Sequence, residues 1–114
     1  MSMKQRYRPR IGLRVPVRFV WEAEVGQGQT LDVTAPGCLI ESPAVVRQGQ
    51  SLQLGMFIPG HIFPLSVSLG AVRWAKGKRF GVEFIKMHEF QQRLLQRLMA
   101  EHRQAASTIK PASS

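Results

Sequence analysis

Cysteine is nearly absent from this chain of 114 residues, which contains only Cys38. A single cysteine cannot form an internal disulfide, so a disulfide-rich framework is excluded, and we expect a cytoplasmic protein. The three histidines have no cysteine or histidine neighbours at metal-ligand spacing. We therefore predict neither a metal site nor a bound cofactor.

Long apolar runs are also missing. No segment approaches the roughly 18 apolar residues of a membrane span. The basic residues 1–6 are not followed by the apolar stretch of a signal peptide, so we expect neither a membrane span nor export. With 44% hydrophobic residues, the chain still has enough apolar material for the core of one domain.

Acidic residues are few, 7 against 16 lysines and arginines, which gives a formal net charge of +9. Between residues 42 and 90 the only acids are Glu83 and Glu89. The sequence has no phosphate-binding loop, no H-E-x-x-H motif and no G-x-S-x-G motif. We therefore predict a protein that is not an enzyme and that binds an anionic partner.

The positive charge is concentrated near the amino terminus. Residues 1–12 are basic, contain Pro9 and Gly12 and have little apolar surface to bury, so they predict a flexible basic arm. The small and polar residues 105–114, with Pro111, predict a disordered tail. Residues 13–104 remain as the folded unit.

The folded unit begins with a β-strand pattern. Leu13, Val15, Val17 and Phe19 alternate with polar residues, which is typical of a half-buried strand. We interpret Gly26–Gly28 as the following turn. Further strands are predicted at residues 30–33, 38–41, 51–58, 62–74 and 79–85. Short strands at this spacing indicate a closed or nearly closed antiparallel barrel.

A helical pattern follows the last predicted strand. Phe90, Leu94 and Leu98 recur at helical spacing, and Leu95 and Met99 widen the apolar stripe. The pattern predicts one carboxy-terminal helix. Such a helix packs on the barrel, docks a partner or forms a homo-oligomer, and the sequence leaves these alternatives open.

Two short motifs precede the middle of the chain. Residues 6–10 read R-Y-R-P-R, an R-x-x-x-R spacing, and residues 32–37 read D-V-T-A-P-G. With A-V-R-W at 71–74 and R-F-G-V-E-F at 79–84, their order resembles the PilZ domain, the bacterial receptor module for cyclic di-GMP. The resemblance implies an all-β fold, a six-stranded antiparallel barrel with a carboxy-terminal α-helix.

The resemblance also implies the ligand-binding residues. Arg6 and Arg10 would clasp the dinucleotide, since a guanidinium pairs with guanine edges or phosphate and stacks on purines. Asp32 would accept hydrogen bonds from the guanine N1 and N2 edge, Thr34 would offer its hydroxyl, and Gly37 would allow close backbone passage. A local alternative is that Asp32 and Thr34 close their own turn while Gly37 is left-handed.

Four further residues carry expectations. Arg8 adds a phosphate contact or raises the local potential. Gly81 either permits close approach of a guanine or marks a strand bulge. Trp74 is expected to pack inside the barrel. Thr34 stands where the family has serine and keeps the hydroxyl, but its methyl stiffens χ1, so we expect a lower affinity.

A second R-x-x-x-R overlaps the first, at residues 10–14. We prefer the pair Arg6 and Arg10, because Arg14 lies inside the alternating strand.

The sequence thus predicts a cyclic di-GMP receptor that changes its surface on binding and regulates an unidentified downstream protein. One alternative is a PilZ-like adaptor that works through protein contacts without a ligand. Another is a small basic barrel that binds nucleic acid; it is disfavoured because Tyr7 is the only clear aromatic residue near the arm.

Overall fold

A computed structural model describes the backbone of residues 10–112 and the side chains of residues 10–102. Six strands and one helix follow one another: β1 Pro16–Trp21, β2 Glu24–Thr34, β3 Gly37–Glu41, β4 Ser51–Met56, β5 Leu65–Lys76, β6 Arg79–Lys86 and α1 Glu89–Ala112. The strands form a closed barrel in the order β1-β2-β3-β6-β5-β4, with antiparallel neighbours. The predicted barrel with a carboxy-terminal helix is confirmed.

The alternation in β1 places one face of the strand in the barrel interior. Val17 and Phe19 are buried, whereas Arg18 and Val20 are exposed. The Phe19 ring meets that of Phe80 from β6 edge-on, with centroids 5.3 Å apart. Because successive side chains of a strand point to opposite faces, the period of two in the sequence was sufficient to identify the core side of this strand.

The turn predicted at Gly26–Gly28 is wrong, since both glycines lie inside β2. The chain turns earlier, at Glu22 and Ala23, where Glu22 has a φ of 52°. A Cβ on Gly26 would lie 2.4 Å from the Phe19 ring, and one on Gly28 would lie 2.3 Å from the Glu41 carbonyl oxygen. Glycine is therefore needed here for close packing rather than for a turn.

The chain pairs with the barrel before Leu13, where the boundary between the arm and the folded unit was predicted. Ile11 is buried and pairs with Val33: the Ile11 amide donates to the Val33 carbonyl at 3.0 Å, and the Val33 amide donates to the Ile11 carbonyl at 2.8 Å. The expectation of a loose arm up to residue 12 overlooked this apolar side chain, which has a core to bury against. Residues 1–9 lie outside the described part of the chain.

Helix α1 packs against the barrel through a stripe that is rotated from the predicted one. Leu95 and Met99 are buried and Leu94 and Leu98 partly so, but Phe90 is 61% exposed. The helix extends past the predicted boundary at 104, and the disorder expected of the tail stays a prediction. Within residues 10–112, no helix has the length and apolar character needed to cross a membrane.

Candidate functional site

A cavity of about 430 Å³ opens on the outer wall of the barrel, and we call it the Asp32 cavity. It is bordered by the segment before β1, the corner between β2 and β3, and the facing parts of β5 and β6. Five residues proposed from the motifs line it: Arg10, Asp32, Thr34, Gly37 and Gly81. Arg6 and Arg8 lie outside the described residues, so their placement stays a prediction.

Backbone pairing brings Arg10 to this cavity. The antiparallel bridge between Ile11 and Val33 sets Arg10 opposite Thr34, and the Arg10 side chain reaches diagonally toward Asp32, although 22 positions separate the two residues in the chain. The Arg10 Nη1 atom lies 4.0 Å from Asp32 Oδ2, and the Arg10 side chain is 71% exposed. This is a loose surface pair, so both groups remain accessible to a ligand.

The corner between β2 and β3 is closed by Thr34. Its hydroxyl donates to the Gly37 carbonyl at 3.0 Å and accepts from the Gly37 amide at 3.1 Å. The local alternative, turn closure by the side chain, is confirmed for Thr34. A hydroxyl oxygen has two lone pairs, so one acceptor position is left for a ligand.

Gly37 is required by its neighbour strand. Positive φ values among the described glycines occur at Gly49, Gly60 and Gly77, so the left-handed interpretation of Gly37 is wrong. A Cβ on Gly37 would lie 2.3 Å from the Val82 carbonyl oxygen. Gly37 thus allows the β6 backbone to pass close by, and its predicted role in the binding of a ligand stays a prediction.

Trp74 lies in the cavity wall, so the expectation that it packs inside the barrel is wrong. Along β5, Val72 pairs with Val82, but Trp74 pairs with Gly81, which leaves Arg73 as an extra residue in a bulge. The bulge reverses the alternation, and the indole, 44% exposed, faces outward.

Gly81 makes room for this indole. A Cβ on Gly81 would lie 2.3 Å from the Trp74 Nε1 atom. The bulge expected near Gly81 therefore exists on the opposite strand, and its effect is to lay the tryptophan over the glycine. Whether a guanine also approaches Gly81 stays a prediction.

Arg73 and Glu83 were not identified as site residues from the sequence. Both line the Asp32 cavity, and the Arg73 Nε and Nη2 atoms lie 2.5 Å from Glu83 Oε1. The available signal was a basic and an acidic residue on adjacent predicted strands. The pair holds a second guanidinium beside Trp74.

Cys38 also borders the cavity, but its side chain is buried. Burial raises the pKa of the Cys38 thiol to about 12, because desolvation disfavours the thiolate. The thiol is therefore protonated and unreactive near neutral pH.

A second cavity of about 730 Å³ lies on the other side of the segment that leads into β1, and we call it the Arg14 cavity. Arg14 lines it together with Glu41 and Lys78. Arg14 does not line the Asp32 cavity, so the overlapping pair Arg10 and Arg14 does not converge on one site.

Comparison with solved structures identifies the same architecture. The crystal structure of the PilZ domain of CeSA from a cellulose-synthesizing bacterium aligns with a TM-score of 0.65 and 18% identity, over 82% of this chain and 96% of that one. The Bacillus subtilis inhibitor of motility (MotI/DgrA) aligns with a TM-score of 0.70 and 16% identity, over 87% of this chain and 51% of that protein. The chain thus spans about half the length of the Bacillus subtilis protein.

A search of curated proteins gives no match. The family model of the PilZ domain matches residues 4–101, which include all six strands and the buried part of the helix. With this match over most of its length and with the barrel that it forms, the chain belongs to the PilZ domain family.

Proposed function

We propose that this chain is a non-enzymatic receptor that binds cyclic di-GMP in the Asp32 cavity. PilZ domains are in general receptors or adaptors for this dinucleotide. The observation that carries the proposal is the convergence of Arg10, Asp32, Thr34, Gly37 and Gly81 from separate segments on a single cavity.

The chemistry of the cavity suits a guanine nucleotide. Arg10 offers a planar guanidinium that donates two parallel hydrogen bonds to guanine O6 and N7 or to a phosphate. The Asp32 carboxylate accepts from the N1 and N2 edge. The exposed indole of Trp74 provides an aromatic face for a purine, and Arg73 adds a second cation beside it.

Binding would also engage the basic arm. Four residues of extended chain reach at most about 14 Å, so Arg6 can contact a ligand whose other side meets Arg10. Fixing the arm over the cavity changes the surface that a downstream protein would contact. We place this interaction in the cytoplasm. The ligand can favour the arrangement with the arm fixed over the cavity only to the extent that it binds this arrangement more tightly than the arrangement with the arm free.

The test is calorimetric titration of the protein with cyclic di-GMP, with GTP and cyclic GMP as controls. Replacing Arg10 by alanine should weaken binding by about 1–3 kcal/mol, the value of one bidentate guanine contact. Arg14→Ala is the matched control, because it removes the same charge from an exposed arginine that lines the other cavity. Saturable binding that weakens only in Arg10→Ala supports the proposal.

Two results would contradict it. No heat with folded protein would leave an adaptor that acts through protein contacts. Equal losses in both variants would indicate a general charge effect. An oligonucleotide titration would then test the nucleic-acid alternative, for which affinity should fall steeply with salt.

A further inference from the structure

The loop between β4 and β5, residues 57–64, exposes two large apolar side chains. Ile62 is 90% exposed and Phe63 is 79% exposed. The tip is a defined turn, since Gly60 has a φ of 85° and the His61 amide donates to the Ile58 carbonyl at 3.0 Å. Exposed apolar surface of this kind marks a site of protein or membrane interaction.

The loop is anchored on both sides of its tip. Ile58 and Leu65 are buried in the core, and the Phe57 amide donates to the Pro16 carbonyl at 2.9 Å. The exposure of Ile62 and Phe63 therefore comes from a projecting turn and not from an unpacked barrel.

A basic residue lies beside this loop. In the register of β1 with β4, the exposed Arg18 is opposite Gly55, and a Cβ on Gly55 would lie 3.5 Å from the Pro64 side chain. Arg18 therefore belongs to the strand that borders the end of the loop.

Acids are sparse on the same side. The sequence contains no aspartate or glutamate between Glu41 and Glu83. Glu22 and Glu24 lie at the other end of β1, which is about 20 Å long. The first turn of α1 also approaches, since Gln91 Oε1 accepts from the Ser66 amide, and it brings one acid, Glu89.

We propose that this loop inserts Ile62 and Phe63 into the surface of an anionic lipid bilayer, with Arg18 at the lipid headgroups. Positive charge beside exposed apolar side chains is complementary to such a surface, and the whole chain carries +9. A convex tip of two side chains offers far less than the roughly 1,200 Å² that a stable protein interface buries. The binding is peripheral and independent of the cyclic di-GMP proposal.

The first test is cosedimentation of the full chain with lipid vesicles. Vesicles of phosphatidylcholine with about 30% phosphatidylglycerol should bind the protein at least tenfold better than phosphatidylcholine alone, because charge attraction adds to insertion. The double variant Ile62→Ser/Phe63→Ser should bind the anionic vesicles at least tenfold more weakly. Because both side chains are exposed, its thermal unfolding should match that of the wild type.

Val45→Ser is the matched control. Val45 is 80% exposed and borders a shallow pocket with Glu22 and Glu24, away from the loop, so its replacement should leave vesicle binding unchanged. A polarity-sensitive fluorophore on His61→Cys should shift to the blue with anionic vesicles, and one on Val45→Cys should not. The buried Cys38 leaves the introduced thiol as the accessible one.

Three results would overturn the proposal. In the first, the wild type does not bind anionic vesicles at low salt. In the second, the double variant binds them as well as the wild type does, which would mean that charge alone is responsible for the binding. In the third, the wild type does not bind vesicles but forms a dimer, and the double variant is monomeric. The loop would then contact a second copy of the chain rather than a membrane.

Discussion

The Asp32 cavity and the Arg14 cavity differ although overlapping arginine motifs contribute to both. Arg10 and Arg14 are the same residue type, four positions apart, yet each lines a different cavity. The backbone from Arg10 to Val15 is held by the Ile11–Val33 bridge and by Thr30, whose hydroxyl accepts from the Val15 amide at 3.0 Å. Motif spacing therefore supplies candidates, and backbone pairing decides which of them share a site.

The two cavities also differ in chemistry. The Asp32 cavity combines two arginines, two acids and the exposed indole of Trp74, a set that suits a purine nucleotide. Among the described residues that line the Arg14 cavity there is no aromatic side chain. Charge is common to both cavities, and the aromatic surface distinguishes them.

The largest expected effect is on the wall of the Asp32 cavity. In Gly37→Ala the new Cβ would lie 2.3 Å from the Val82 carbonyl oxygen, so β3 and β6 must separate locally. We expect the free energy of unfolding in urea to fall by about 3 kcal/mol.

Gly12→Ala is the control for this change. Gly12 is exposed, and the nearest atom to its added Cβ is the Leu31 carbonyl oxygen at 4.0 Å, so stability should stay within about 0.5 kcal/mol. If Gly37→Ala were equally neutral, the requirement for glycine would come from the ligand and not from β6.

The next effect concerns the segment that separates the cavities. Thr30 is fully buried, and its hydroxyl also donates to the Leu13 carbonyl. Thr30→Val should lower the free energy of unfolding by about 2 kcal/mol, because it leaves buried backbone groups without partners. Hydrogen exchange at the Val15 amide should accelerate. Thr30→Ser keeps the hydroxyl and should retain most of the stability; equal losses in both variants would contradict the role of the hydrogen bonds.

The fold could be predicted from local signals because they agreed with one another. The alternation in β1 identified Val17 and Phe19 as core residues, and the helical spacing of the apolar residues after the last predicted strand identified the helix. The glycines of β2 could not be assigned in this way. What excludes a Cβ at Gly26 is the Phe19 ring on another strand, and such a contact has no local signature.

Fewer features of the candidate site than of the fold could be predicted from the sequence. Arg10 and Asp32 were found through the motif order, and the structure brings them together. Trp74 was misplaced because one bulged residue, Arg73, inverts which face the following side chains occupy. A register shift depends on the partner strand, so the period of β5 alone could not reveal it.

The free energy of unfolding should depend on pH through Cys38, which lies on the buried side of the Asp32 cavity wall. The buried Cys38 has its pKa raised from 9.0 to about 12 in the folded state. Above pH 9 the unfolded chain loses a proton that the folded chain keeps, so stability falls as the pH rises from 9 towards 12. By pH 10 the loss should be about 1 kcal/mol.

Urea unfolding of the wild type and of Cys38→Val at pH 8 and pH 10 measures this loss. The variant removes the thiol but not the other groups that titrate, so the difference between the two proteins isolates Cys38. If both proteins lost the same stability over this interval, the thiol would not be the cause.

Replacing the arginines of two surface ion pairs should have the smallest effect on stability but should clearly separate the two cavities in ligand binding. Arg73 pairs with Glu83 in the Asp32 cavity, and Arg79 pairs with Glu41, a residue of the Arg14 cavity, at 3.4 Å. All four side chains are more than one-third exposed, so Arg73→Gln and Arg79→Gln should each change unfolding by about 0.5 kcal/mol or less. Calorimetry with cyclic di-GMP should nevertheless distinguish them, because only Arg73→Gln removes a cation from the cavity that contains Trp74. If Arg79→Gln weakened binding as much, net charge rather than the geometry of the Asp32 cavity would govern affinity.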